Sequence, residues 1–140
     1  MKRFLIIIFA SLLTISCSTE PRKIHYGLDV CEFCHMSITD QRYGTEIVTE
    51  KGKIYTFDSI ECMIDYTEES GVKAAQQLVT SILNPGVLID AKGTFVIKCK
   101  AMPSPMGRYL TAFPSKEEAQ KIIDEKGGEI LPWDEAFKSF

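Results

Sequence analysis

The sequence predicts an α+β fold of two similar lobes, on three observations. Two hairpin–helix units occur in series, each with a strand ending in phenylalanine, Phe57 or Phe113, that leads into a capped helix. Apolar spacing switches between the period of a strand and that of a helix along both units. The 140 residues are 45% hydrophobic and 25% charged, with 9 Gly and 6 Pro, a globular composition that excludes disordered, collagen-like and polytopic membrane chains. The net charge of −3 becomes −5 once Lys2 and Arg3 are removed, and offers no electrostatic footprint for nucleic acid.

The elements follow in chain order. Lys2-Arg3 is a positive n-region, and Phe4 to Ile15 is an apolar run broken only by Ser11 and Thr14. That run is short for a membrane-spanning helix and matches a signal-peptide core. Thr14-Ile15-Ser16-Cys17 resembles a bacterial lipobox, with Thr14 where leucine is usual. The alternative is an ordinary cleaved signal with Cys17 unmodified. Residues 1–16 are thus expected to be a signal peptide and 17–30 the lipidated Cys17 and a polar tether. Ser18-Thr19-Glu20 also looks like the acidic signal that follows the cysteine in surface-exposed lipoproteins. Acyl chains on Cys17 would anchor the domain without a spanning helix, outside the cytoplasm, on the periplasmic side or at the outer membrane.

The first lobe is expected over 31–85. Thr45 to Glu50 alternates, with Glu46, Val48 and Glu50 on one side; Lys51-Gly52 is a turn, and Lys53 to Phe57 a second strand. Asp58 with Glu61 reads as a capping box, ahead of the stripe Ile60, Met63, Ile64, and Gly71 ends that helix. Val72 to Leu83, apolar at 75, 78, 79, 82 and 83, reads as a second helix stopped by Asn84-Pro85-Gly86. The second lobe is expected over 86–140. Val87 to Asp90 and Thr94 to Lys98 read as strands around Ala91-Lys92-Gly93. A loop rich in sulfur and proline runs from Cys99 to Gly107, and Arg108 to Phe113 is a strand. Ser115 with Glu118 forms another capping box for the stripe Ala119, Ile122, Ile123, closed by Gly127-Gly128. Glu129 to Leu131 is a short strand, and Trp133 to Phe140 a closing turn or helix.

Four cysteines remain after Cys17: Cys31, Cys34, Cys62 and Cys99. In an exported chain an even number first suggests disulfides. Yet Cys31-Glu32-Phe33-Cys34-His35-Met36 places two thiols, an imidazole and a thioether within six positions, and Cys62-Met63, Cys99, Met102 and Met106 follow. Soft sulfur donors of this kind suit Cu(I). Cys31-x-x-Cys34-His35 also matches the pattern for c-type haem attachment, so a haem electron-transfer lipoprotein is the alternative. A thiol–disulfide exchange motif lacks the following helix it needs. A structural zinc site is disfavoured because Cys62 and Cys99 lack near partners in sequence. Met63 and Cys62 read as helix packing, and Cys99 as strand packing or a disulfide partner of Cys62 or Cys31. Asp58 reads as a cap, and His25 as part of the tether. No paired carboxylates, nucleophile–base arrangement or phosphate-cradling loop is present, which argues against an enzyme.

Taken in order, Cys34-His35-Met36, Phe57-Asp58, Cys62-Met63, Pro105-Met106-Gly107, Ala112-Phe113, Ala119 and Gly127-Gly128 resemble the NosL family of nitrous oxide reductase accessory lipoproteins. The resemblance spans nearly all of residues 31–135, with His35 where the family usually has glycine. It implies two related ββαβ-type lobes, loosely similar to the organomercurial lyase fold, and Cu(I) binding. It also implies a metallochaperone role in denitrification: delivery of copper to a periplasmic cuproenzyme, nitrous oxide reductase, with a copper donor or export system upstream. Carried over by position, Cys34, Met36 and Met106 would be copper ligands, with Cys31, His35 and Met102 as further candidates.

Overall fold

The computed structural model describes residues 19–139. The leader and Cys17, with its expected lipidation, lie outside the described residues. No helix among those described is long and apolar enough to cross a membrane.

Strands β1 (Thr45–Thr49) and β2 (Ile54–Phe57) form the expected hairpin, with Thr45 opposite Phe57. Helix α1 (Ile60–Ser70) follows, and Gly71 closes it in the left-handed conformation, its N–H donating to the Thr67 carbonyl. The cap at its start is Ser59, not Asp58: the Ser59 hydroxyl accepts the Cys62 N–H at 3.3 Å. Glu61, expected to complete a capping box with Asp58, instead accepts from Ser104 and from the Leu110 N–H. Both acidic residues are thereby released from capping.

The predicted helix over 72–83 is a strand, β3 (Ala74–Thr80). Its neighbours decide the matter. β3 pairs antiparallel with β1 on one side and with β4 (Leu88–Asp90) on the other, giving a sheet of order β2-β1-β3-β4. Leu78 and Val79, adjacent in sequence, are both buried because the sheet is covered on both faces there. Two consecutive buried apolar residues satisfy a helical stripe and a doubly covered strand equally well. Residues 87–90 therefore do not pair with 94–98, and the chain passes from one sheet to the next across Ala91–Thr94.

The second sheet has the order β6-β5-β7, from β5 (Phe95–Lys98), β6 (Leu110–Phe113) and β7 (Glu129–Pro132). Helix α2 (Lys116–Lys126) lies between β6 and β7 in sequence, capped by Ser115 as the sequence predicts, and α3 (Trp133–Ser139) closes the chain. Each lobe is thus a ββαβ unit with its first strand in the middle, and β4 and α3 are additions. Part of the segment read as a tether is built into the domain: Ile24 is buried in the core, and the Arg22 N–H reaches the buried Glu46 carboxylate. The larger of two core clusters serves both lobes, joining Ile47, Phe57 and Val79 of the first to Val96, Leu110 and Trp133 of the second, and the smaller lies around Ile97, Phe113 and Ala119.

Candidate metal centre

The Cys31–Met36 segment folds back on itself. The Cys31 N–H donates to the Met36 carbonyl at 2.8 Å, and the His35 N–H to the Cys31 carbonyl at 3.0 Å, so Val30 and Ser37 meet as a β-bridge. His35 takes a φ of 61°, the left-handed region that glycine enters without strain and histidine tolerates in turns. The Glu32 N–H donates to the Thr56 carbonyl at 2.9 Å, which docks the loop on β2 just before Asp58.

This docking creates a cluster that the sequence does not reveal. Sulfur atoms of Cys31, Cys34 and Cys62 and a carboxylate oxygen of Asp58 all lie within 4.8 Å of one another. Cys31 and Cys62 have no exposed surface, Asp58 has 5%, and Cys34 is partly exposed. The Cys34 thiol donates to Asp58 Oδ2 at 3.5 Å, whereas Asp58 Oδ1 is buried with no hydrogen-bond partner. A buried carboxylate oxygen left unpaired costs free energy unless something fills its valence.

The thiols are electrostatically unequal. A hydrogen bond from Cys62 draws the Cys31 thiol down to about 6 against the effect of burial, with backbone amides of Cys34, Asp58 and Phe33 assisting. Burial pushes Cys34 up to about 11, helped by the charges of Cys31 and Asp58. Cys62 is pushed far up, because it donates to Cys31 and is itself buried. The three sulfurs therefore share their first negative charge at Cys31, and a bound cation would draw off the remaining protons.

Met36 stands at the rim, half exposed, on a cleft of about 380 Å³ lined also by Asp58, Pro103, Ser104 and Pro105. The loop carrying Met106 thus faces the Cys31–Met36 segment across this cleft. Met106 packs against the larger core cluster and Met102 against the smaller one, so the two thioethers diverge. Cys99 belongs to the smaller cluster with Ile97 and Phe113, outside the thiol group. All four described cysteines are free, so no disulfide pairs Cys99 with Cys31 or Cys62. His35 is likewise not among the clustered donors. A haem thioether at Cys31 would have to open a fully buried position.

Sequence reasoning left Cys62 and Asp58 out of the candidate site, although Cys62 is buried in the core as its packing reading expects. The helical stripe assigned Cys62 to packing and the capping pattern assigned Asp58 to the helix end. The signal available was the short separation of Asp58 and Cys62 across the helix cap Ser59.

A family model described as NosL matches residues 26–139. No curated protein matches the chain. Among solved structures, the crystal structure of the copper chaperone NosL from Shewanella denitrificans is similar, with a TM-score of 0.68 and 21% identity over 82% of this chain and 96% of that one. At that identity the likeness is one of fold.

Proposed function

The chain belongs to the NosL family, and on that premise we propose that it is a copper-binding chaperone that accepts Cu(I) outside the cytoplasm and passes it to a cuproenzyme, nitrous oxide reductase. Three converging free thiols under a cleft rimmed by Met36 and the Pro103–Pro105 segment carry this reading. The related protein with a similar fold is a copper chaperone, which adds to it. Its work is binding and release rather than turnover. In this reading Cys17 holds the domain at the membrane through its lipid, and a copper donor or export system supplies the metal.

Cu(I) is a soft d¹⁰ ion satisfied by two or three sulfur donors. Cys34 is the accessible thiol of the cluster, Met36 the thioether at the rim, and Met106 the thioether presented by the opposing loop; these three form the exchange site. A low coordination number leaves an edge open, through which an acceptor's ligand can enter before the chaperone's ligands leave. We place Cys31, His35 and Met102 outside this set: Cys31 is buried, His35 is exposed, and Met102 packs against the smaller core cluster.

The test is an anaerobic Cu(I) titration of the full chain in detergent, competed against a chromophoric chelator. About one copper per chain is expected, and Cys34→Ser and Met106→Leu should each weaken it by about tenfold or more, roughly 1.4 kcal/mol apiece. Identical binding by the wild type and both variants would overturn the ligand assignment. A covalent haem band after export through a haem-maturing host would replace the copper reading with the haem one.

A further inference from the structure

The cluster beneath the rim holds one donor that Cu(I) does not explain. Cu(I) gains little from a carboxylate, a hard donor, yet Asp58 is 95% buried against the three thiols, with Oδ1 unpaired. Zn(II), a borderline d¹⁰ dication, accepts both thiolate sulfur and carboxylate oxygen and takes four donors in a closed tetrahedral site. We propose that Cys31, Cys34, Cys62 and Asp58 form a second, inner metal site that binds Zn(II), distinct from the copper exchange site at the rim and sharing only Cys34 with it.

Geometry supports this assignment. Zinc–sulfur bonds of about 2.3 Å put neighbouring ligands of a tetrahedron roughly 3.8 Å apart. The donor atoms here are within 4.8 Å of one another, so a contraction of about an ångström closes the site around an ion. The positions are held from three directions. Cys62 is fixed by the capped first turn of α1, Asp58 by the end of β2, and Cys31 and Cys34 by the loop docked on Thr56. Charge argues the same way. On binding, the thiols lose their protons to water and four anionic donors face the ion inside the protein. A divalent cation cancels one more of those buried charges than Cu(I) does, and uncompensated buried charge is costly. The Arg108 guanidinium, near enough for Cys62 to affect it, is already engaged by Asp65. A divalent ion supplies compensation that this paired guanidinium does not. A fully ligated ion under the rim leaves no open edge and engages Cys34, so Zn(II) here and Cu(I) at the rim compete for that thiol.

The full chain, reduced, anaerobic and in detergent, is titrated with Zn(II) against a chromophoric chelator and separately with Co(II). One ion per chain is expected, with intense tetrahedral d–d bands and thiolate charge-transfer bands for Co(II). Cys62→Ser should lower Zn(II) affinity at least roughly a hundredfold and Asp58→Asn at least tenfold, since even outer-shell partners of a metal cost 10- to 100-fold. Met36→Leu and Met106→Leu should leave it within about threefold. Absorption fine structure at the zinc edge of the loaded wild type gives a reading that needs no variant: three sulfurs and one oxygen. A pale octahedral Co(II) spectrum, a zinc shell of nitrogen and oxygen only, or affinity unchanged by Cys62→Ser in a folded protein would each overturn the inner site. Zinc binding without Cu(I) binding removes the copper reading alone. Copper binding without zinc removes this one alone.

Discussion

Glu46 sits in the middle strand of the first sheet with no exposed surface, its Oε1 accepting the Arg22 N–H at 3.0 Å and its Oε2 unpartnered. Burial raises its carboxyl from 4.5 to about 7, opposed by the Arg22 amide and charge. An acid whose folded pKa is raised binds protons more readily in the folded chain than in the unfolded one. Its stabilisation is complete below pH 4.5 and is lost as the pH climbs from there through about 7. Glu46→Gln keeps the amide's acceptor and removes the titration. Urea unfolding across this pH range should show the wild type losing stability while the variant does not, with the variant ahead by about 1–3 kcal/mol at pH 8. Parallel profiles would contradict the assignment. Sequence alternation groups Glu46 with Val48 and Glu50 on one side of the strand, and alternation alone cannot tell a half-covered strand from one covered on both faces. Asp58 and Cys62 are hidden differently, behind a capping pattern and a helical stripe. Sequence spacing located the sulfur-rich loop and the helix, but only the docking of Glu32 on Thr56 brings them together.

At the scale of elements, caps, turns and long helical stripes were legible because their signals are local. Ser115, Gly71 and the α1 and α2 stripes stand where the sequence predicts. β3 was not legible, because its identity depends on partners remote in sequence: β1 and β4 supply the hydrogen bonds that a helix would have made internally. The turn between α2 and β7 offers a sharp test of how tightly an element is set. Gly128 has a φ of 114°, and a Cβ there would overlap the Lys98 carbonyl oxygen and lie 3.3 Å from Cys99 Cα. Both are backbone atoms of the β5 end and cannot swing aside. Gly71 is also left-handed, at φ 64°, but a Cβ there meets nothing within 4 Å. Gly71→Ala should therefore cost about 1 kcal/mol, the left-handed strain alone. Gly128→Ala should cost roughly 3 kcal/mol or more, as strain and overlap combine. Urea midpoints that fall equally for the two would show that β5 yields.

For the whole molecule, the two lobes are copies in plan but not in role. Ser59 and Ser115 cap helices of 11 residues, and each accepts the N–H three positions on, Cys62 in the first lobe and Glu118 in the second. The thiol cluster thus exists on one side only. The second lobe contributes through a different departure from the plan. The β1–β2 turn occupies residues 50–53, whereas the β5–β6 connection runs over 99–109 and carries Met102 and Met106. That longer loop crosses to α1, where Ser104 donates to Glu61 and Arg108 pairs with Asp65, one helical turn apart on the helix that holds Cys62. Trp133 reaches the other way, its indole N–H donating to Gln77 of β3 at 3.0 Å, and the Ile82 N–H donates to the Ala112 carbonyl. The larger core is continuous across both lobes, and these crossings tie the second lobe's smaller cluster of Ile97, Phe113 and Ala119 to the first. Unfolding should therefore be a single cooperative transition. Trp133, the only tryptophan in the sequence, sits on the seam and makes the test direct. Its fluorescence and the far-ultraviolet circular dichroism should trace superimposable urea curves. Two separated transitions, with fluorescence leading, would mean that the lobes part before they melt. The cleft between Met36 and the Met106 loop would then be a hinge, and the copper site would be assembled by closure rather than standing ready in the folded chain.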